Sequence, residues 1–171
     1  MSQFYEIKPE QIEKNPFTMI GKEWMLITAE TAGKANAMTA SWGGMGVLWN
    51  KNVVFGFVRP QRYTKEFLDA GDRFSLTFFD ERYKKDLQYF GTVSGRDEDK
   101  IFKAGLTVEH AEGAPYFSEG NLVILCKKLY AGTIDPDAIL SPEIDKAIYP
   151  DQDYHTVYIG EIVKVLLKVE D

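Results

Sequence analysis

The stretch Tyr154-His155-Thr156-Val157-Tyr158-Ile159-Gly160-Glu161-Ile162-Val163-Lys164-Val165-Leu166-Leu167-Lys168-Val169 is the longest strand candidate in the chain. It is dense in β-branched and aliphatic residues, and Gly160 falls inside it where a bulge or bend is expected. A long last strand with a mid-strand glycine suits a coiled antiparallel barrel. Upstream, Trp24-Met25-Leu26-Ile27-Thr28 is a short apolar run. Val53 to Val58 is rich in β-branched and aromatic residues, and Arg73 to Phe79 alternates at period two. Residues 121–134 supply another long strand or a hairpin arm. Helices are expected to be short and to lie between strands. One covers residues 64–70, with Thr64 as N-cap and Gly71 as its stop. A second covers 81–90 and a third 97–104, while 136–150 reads as loop with one helical turn. Helices between strands also fit a parallel α/β sheet, but no strand is followed by a GxGxxG loop.

The chain has 171 residues, enough for one domain with a sizeable core, and 44% of them are hydrophobic. Eleven Phe, nine Tyr and three Trp fit a β-rich core and could also line a site for a flat ligand. A net charge of −6 argues against nucleic acid or an anionic membrane as the main partner. The single cysteine, Cys126, lies in an apolar run and reads as a core side chain. With no Cys/His set and no EF-hand order, no metal site is expected. The first residues lack a basic segment followed by an apolar one, so no signal peptide is expected and the cytoplasm is the default location. The apolar runs are too short to span a bilayer.

Four segments could carry chemistry. Asn36-Ala37-Met38-Thr39-Ala40-Ser41-Trp42-Gly43-Gly44-Met45-Gly46 is built of small residues that let backbone approach a ligand. Thr39 and Ser41 add hydroxyls, and Trp42 can cover an aromatic face; the same composition also fits a plain Gly-rich turn. Arg59-Pro60-Gln61-Arg62-Tyr63-Thr64 gathers two guanidinium groups, a phenol and a hydroxyl ahead of a helix N-terminus. That set suits a phosphate, and equally a solvated basic turn. Ser94-Gly95-Arg96-Asp97-Glu98-Asp99-Lys100 repeats the pattern and also fits a charged, solvent-facing helix. His155 could donate to a ligand or assist proton transfer, or be a structural histidine paired with Asp153. His110, in a polar stretch, reads as a surface residue.

In this order, with Phe78-Phe79-Asp80 between and Tyr158-Ile159-Gly160-Glu161 following, these segments resemble the flavin reductase-like family, flavoredoxin-like subgroup, from about Pro16 onward. The resemblance implies a mainly β fold with short helices: a six-stranded antiparallel Greek-key split barrel that binds FMN, as a single domain over 1–171. It implies a homodimer with FMN near the subunit interface. Asn36, Met38, Thr39, Ala40, Ser41 and Trp42 would contact the isoalloxazine ring. Arg59, Arg62, Tyr63 and Thr64 would hold the phosphate and ribityl chain, with Ser94, Arg96 and Lys100 closing over the phosphate end. His155 would lie beside flavin and nicotinamide. The implied activity is NAD(P)H-dependent flavin or ferric reduction. Two alternatives stay open: a flavoredoxin-like electron carrier reduced by a partner protein, and a non-redox module for flavin or a tetrapyrrole.

Overall fold

A computed structural model describes residues 3–170. The strands are β1 (Phe4–Ile7), β2 (Met25–Thr31), β3 (Lys34–Ala40), β4 (Gly43–Leu48), β5 (Lys51–Val58), β6 (Arg73–Phe78), β7 (Val108–Ala111), β8 (Ala114–Phe117), β9 (Leu122–Thr133) and β10 (Thr156–Lys168). The α-helices are α1 (Pro16–Thr18), α2 (Thr64–Ala70), α3 (Lys84–Thr92), α4 (Lys100–Ala104) and α5 (Pro142–Ile148).

The main sheet runs β3-β2-β6-β9-β10-β5-β4, with β1 added to β10, so it carries eight strands where six were expected. All the strand pairs are antiparallel, and β7 and β8 form a separate hairpin. One apolar core draws on β2 (Met25, Ile27), β3 (Met38), β5 (Val54, Val58), β6 (Phe74, Leu76), β9 (Ile124, Cys126) and β10 (Tyr158, Val165). Strands from both ends of the path can share one core only if the sheet coils around it. Among the described residues no pairing joins β3 to β4, so the barrel is split. Cys126 is buried in this core, and burial pushes its thiol pKa up.

β10 pairs with β5 on one side and β9 on the other, and its register against β9 shifts at Ile159/Gly160. A Cβ on Gly160 would come within 2.6 Å of Phe74 Cζ and 2.9 Å of Cys126 Cβ. The glycine therefore lets β9 and β6 approach the coiled strand. Gly43 serves the corner after β3, where a Cβ would meet Phe55 O at 2.9 Å. There the chain leaves one end of the sheet at Ala40, turns through Ser41 and Trp42, and starts β4 at the other end.

The helices differ from expectation at their ends. The expected 81–90 helix opens as a 3-10 turn (Glu81–Tyr83), and α3 then runs through Gly91 to Thr92. The expected 97–104 helix begins only at Lys100, because Asp99 takes the capping role and its side chain accepts from Phe102 N. Thr64 lies inside α2 and caps nothing; it is buried and meets Asn36 instead.

Candidate functional site

The corner between β3 and β4 forms one wall of a cleft. Met38, Thr39, Ala40, Ser41 and Trp42 line it, facing Phe57, Arg59, Arg62 and His155. Phe57 and Arg59 stand two residues apart at the end of β5, so the alternation of the strand puts both on one side. Trp42 is half exposed, and its ring lies 5.3 Å from the His155 ring. Thr39 donates its hydroxyl to the Leu87 carbonyl, which ties β3 to α3 and commits that proton to the fold. A second cleft is lined by Lys34, Asn36, Gly95, Arg96 and Lys100, among others. Except for Tyr63, Thr64 and Ser94, which line neither cleft, the site residues expected from the sequence thus fall into two groups.

Arg62 and Lys100 join them. Arg62 Nη1 donates to Gly91 O at 2.9 Å and Nη2 to Phe90 O at 3.3 Å, while Lys100 Nζ donates to the same Phe90 O at 3.1 Å. Both cations therefore serve the carbonyl end of α3, where the helix dipole is negative. The basic segment was expected to act with the N-terminus of the helix after it; its Arg62 reaches the C-terminus of another helix instead. Among the described residues neither cation has a carboxylate partner. Lys100 is 4% exposed. Burial, with the Arg62 charge adding to it, lowers its pKa to about 8. Burial likewise lowers that of Arg62. A helix end carries roughly half a charge, too little to offset one buried and one part-buried cation.

The remaining residues have other partners. Arg59 pairs with Asp153 at 2.8 Å and donates to Ile148 O at 3.1 Å, so it fastens the segment leading into β10. Gln61 donates to the same Asp153 oxygen. Arg96 stacks over the Tyr63 ring at 4.7 Å and pairs with Glu66 at the surface. The Tyr63 hydroxyl accepts from Lys34 at 3.4 Å. Ser94 Oγ accepts from Arg96 N at 3.1 Å, a local turn contact. Asn36 Nδ2 donates to Thr64 Oγ1 at 2.8 Å, and a Cβ on Gly95 would fall 2.1 Å from Asn36 Oδ1. Backbone of the Ser94–Lys100 segment therefore packs directly on the Asn36 carboxamide.

His155 is not paired with Asp153. Its Nδ1 lies 2.7 Å from the Tyr149 hydroxyl, and both residues are buried. Burial, with the Arg59 charge next, lowers its pKa to about 4, so it is neutral near pH 7. His110 pairs with Glu30 at 2.9 Å on the exposed side. Phe57, Lys34 and Tyr149 were not selected from the sequence. Strand alternation around Arg59 was a signal that could have found Phe57; nothing local pointed to Tyr149.

The fold and the cleft define a split-barrel domain with paired cations beside a corner built of small residues. The chain belongs to the flavin reductase like domain family, whose model matches residues 19–171. No curated protein matches it. Among solved structures, flavoredoxin from Methanosarcina acetivorans is 26% identical, with 84% of this chain and 67% of that one covered and a TM-score of 0.64. An FMN-binding domain of a flavin reductases-like enzyme from Shewanella baltica is 14% identical, with 97% and 78% covered and a TM-score of 0.70. Flavoredoxin of Desulfovibrio vulgaris (Miyazaki F) is 22% identical, with 94% and 76% covered and a TM-score of 0.67. The last two likenesses show the fold. Among the described residues, no helix is long and apolar enough to cross a membrane.

Proposed function

We propose that this chain binds FMN non-covalently in the paired clefts and works as an NAD(P)H-dependent flavin or ferric reductase. The observation that carries the reading is a buried Lys100 and a part-buried Arg62 meeting on one carbonyl without a carboxylate. Two desolvated cations in an acidic protein are complementary to a dianionic phosphate, and the Arg fork suits its geometry. Asn36, which lines the second cleft with Lys100, has polar atoms for the ribityl chain. Met38 to Trp42 would hold the ring, through backbone groups and the indole face. Riboflavin lacks the phosphate, so the same cleft would favour FMN over it.

Bound FMN would supply the redox chemistry, accepting hydride and passing electrons on. The protein's part is to bind, orient and exclude water. Arg59, tied to Asp153 and Ile148, holds the wall that carries His155. His155 is neutral, so it can give a hydrogen bond to a nicotinamide or flavin atom without placing a second cation beside Arg59. A homodimer, built around the exposed Phe17, Val47 and Trp49, belongs to the same proposal.

The likeness to a flavoredoxin at 26% identity favours a second reading, an electron carrier reduced by a partner protein. Anaerobic mixing of the FMN-loaded protein with NADH, and separately with NADPH, decides between them. Bleaching of the flavin band within seconds supports the reductase and identifies the donor. A band that stays oxidised with both donors moves the assignment to the carrier.

A further inference from the structure

The buried pair Tyr149 and His155 assigns a role that the flavin site alone does not require. Tyr149 follows α5, and His155 directly precedes β10. Between them the chain makes a short return, fixed by Arg59 donating to Ile148 O and pairing with Asp153, and by Tyr154 donating to Asp145 at 2.6 Å. The Arg59 guanidinium also lies 5.3 Å from the centre of the Tyr149 ring. The phenol is therefore clamped, and its oxygen sits 2.7 Å from His155 Nδ1.

Among the described residues, the Tyr149 hydroxyl has no other partner. A buried O–H that gave its hydrogen to nothing would carry an uncompensated desolvation cost. Donation to Nδ1 removes that cost and also matches acidity, because a phenol is the better donor and an imidazole the better acceptor. The alternative, Nδ1–H donating to the phenol oxygen, leaves the phenolic hydrogen unpaired. The ring proton then belongs on Nε2, which has no protein partner among the described residues, on a residue that lines the cleft.

We infer that Tyr149 is a positioning residue: its hydroxyl donates to His155 Nδ1 and fixes the ring as the Nε2–H tautomer, so the cleft is offered a neutral N–H donor. The acceptor it suits is a carbonyl oxygen or ring nitrogen of a flat heteroaromatic ligand or of a carboxamide. This ligand class rests on the flavin and nicotinamide reading above, whereas the tautomer rests on the protein alone. The charged and titratable groups around the ring are Arg59 at the end of β5, Asp153 on its own segment and Tyr149 after α5. The facing side from the β3–β4 corner is Trp42, which is uncharged.

The test is long-range proton–nitrogen NMR on the full chain with nitrogen-15 histidine. Only two histidines are present, and His110→Gln assigns the remaining signal. His155 is expected as a single Nε2–H tautomer in wild type, without flavin, from about pH 5.5 to 8. Tyr149→Phe is expected to give a mixture of tautomers and, in protein still loaded with FMN, bleaching by NADH or NADPH slower by about five- to tenfold. A wild-type His155 that carries its proton on Nδ1 overturns the inference, even if Tyr149→Phe fails to fold. So does a Tyr149→Phe spectrum identical to wild type. Wild type that shows the Nε2–H tautomer but retains no FMN upholds the inference and overturns the flavin reading instead.

Discussion

Lys100 Nζ and the Arg62 guanidinium converge on one acceptor, the carbonyl oxygen of Phe90, at 3.1 and 3.3 Å. They come from different elements, Lys100 from the first turn of α4 and Arg62 from the loop before α2. The carbonyl belongs to a third element, the last turn of α3. Two positive groups meet where the protein supplies only a helix end to balance them, and the pKa of Lys100 is lowered to about 8.

That lowered pKa sets a pH dependence for the proposed ligand. A phosphate favours the charged form of Lys100, so binding raises its pKa and takes up a proton wherever the free protein has lost it. FMN affinity should be constant from pH 7 to about 8 and fall above that, while riboflavin affinity stays level. Flavin fluorescence titrations from about pH 7 to 9.5 check this. A parallel pH response for the two flavins would remove Lys100 from the phosphate site.

Lys100→Met should separate stability from binding. Phe90 O keeps Arg62 as a donor, and the variant loses a buried charge that has no carboxylate. Apo stability at pH 7 should hold or rise, whereas FMN affinity should drop about 10- to 100-fold, the worth of one charge-assisted hydrogen bond. Thermal melts without flavin, alongside FMN titrations, measure both. A large loss of apo stability would show that Lys100 is a structural cap first.

Gly95→Ala places a Cβ 2.1 Å from Asn36 Oδ1 and 3.2 Å from Tyr63 Cδ2. Asn36 is buried and tied to Thr64, so it cannot swing aside freely. Destabilisation of about 1–3 kcal/mol is expected, as for other overpacked sites. Because the clash is with that one carboxamide, Asn36→Ala combined with Gly95→Ala should cost less than the two singles summed. Denaturant melts of the four proteins complete the cycle, and strict additivity would contradict the contact.

His155 contributes to acid sensitivity with a definite sign. Its folded pKa is lowered to about 4, against an ordinary histidine value of 6.5. Between these values the unfolded chain binds more protons, so stability is complete above about pH 6.5 and declines as pH falls toward 4. His155→Gln should flatten the loss in that window by up to about 1.4 kcal/mol per pH unit. The check is the difference between wild-type and variant melts across it; no difference would mean that His155 titrates normally.

The local pattern made the long strands readable. Thr156–Lys168 and Leu122–Thr133 are runs of aliphatic residues too long and too β-branched for the short helices around them, and Gly160 marked its bulge. Four-residue strands such as Val108–Ala111 and Ala114–Phe117 carry too few alternations to stand out, although Glu112 and Gly113, both at positive φ, make their turn. At the site, the types of Arg62 and Lys100 were legible as cations suited to an anion. Their meeting was not, because it depends on where α3 ends. Arg59 looked the same as Arg62 in sequence, yet Asp153, almost a hundred positions later, claims it. Tyr149 precedes a proline in a polar loop, and only the return of that loop onto β10 buries it against His155.

The most direct measurement is the affinity of the purified wild-type protein for FMN and for riboflavin under the same conditions at pH 7. The two ligands share the ring and the ribityl chain and differ only in the phosphate. With Arg62 and Lys100 holding that phosphate, FMN should bind at least about 100-fold more tightly, as expected from two charge-assisted contacts. Equal affinity for the two flavins, or binding of neither, would contradict the proposed site.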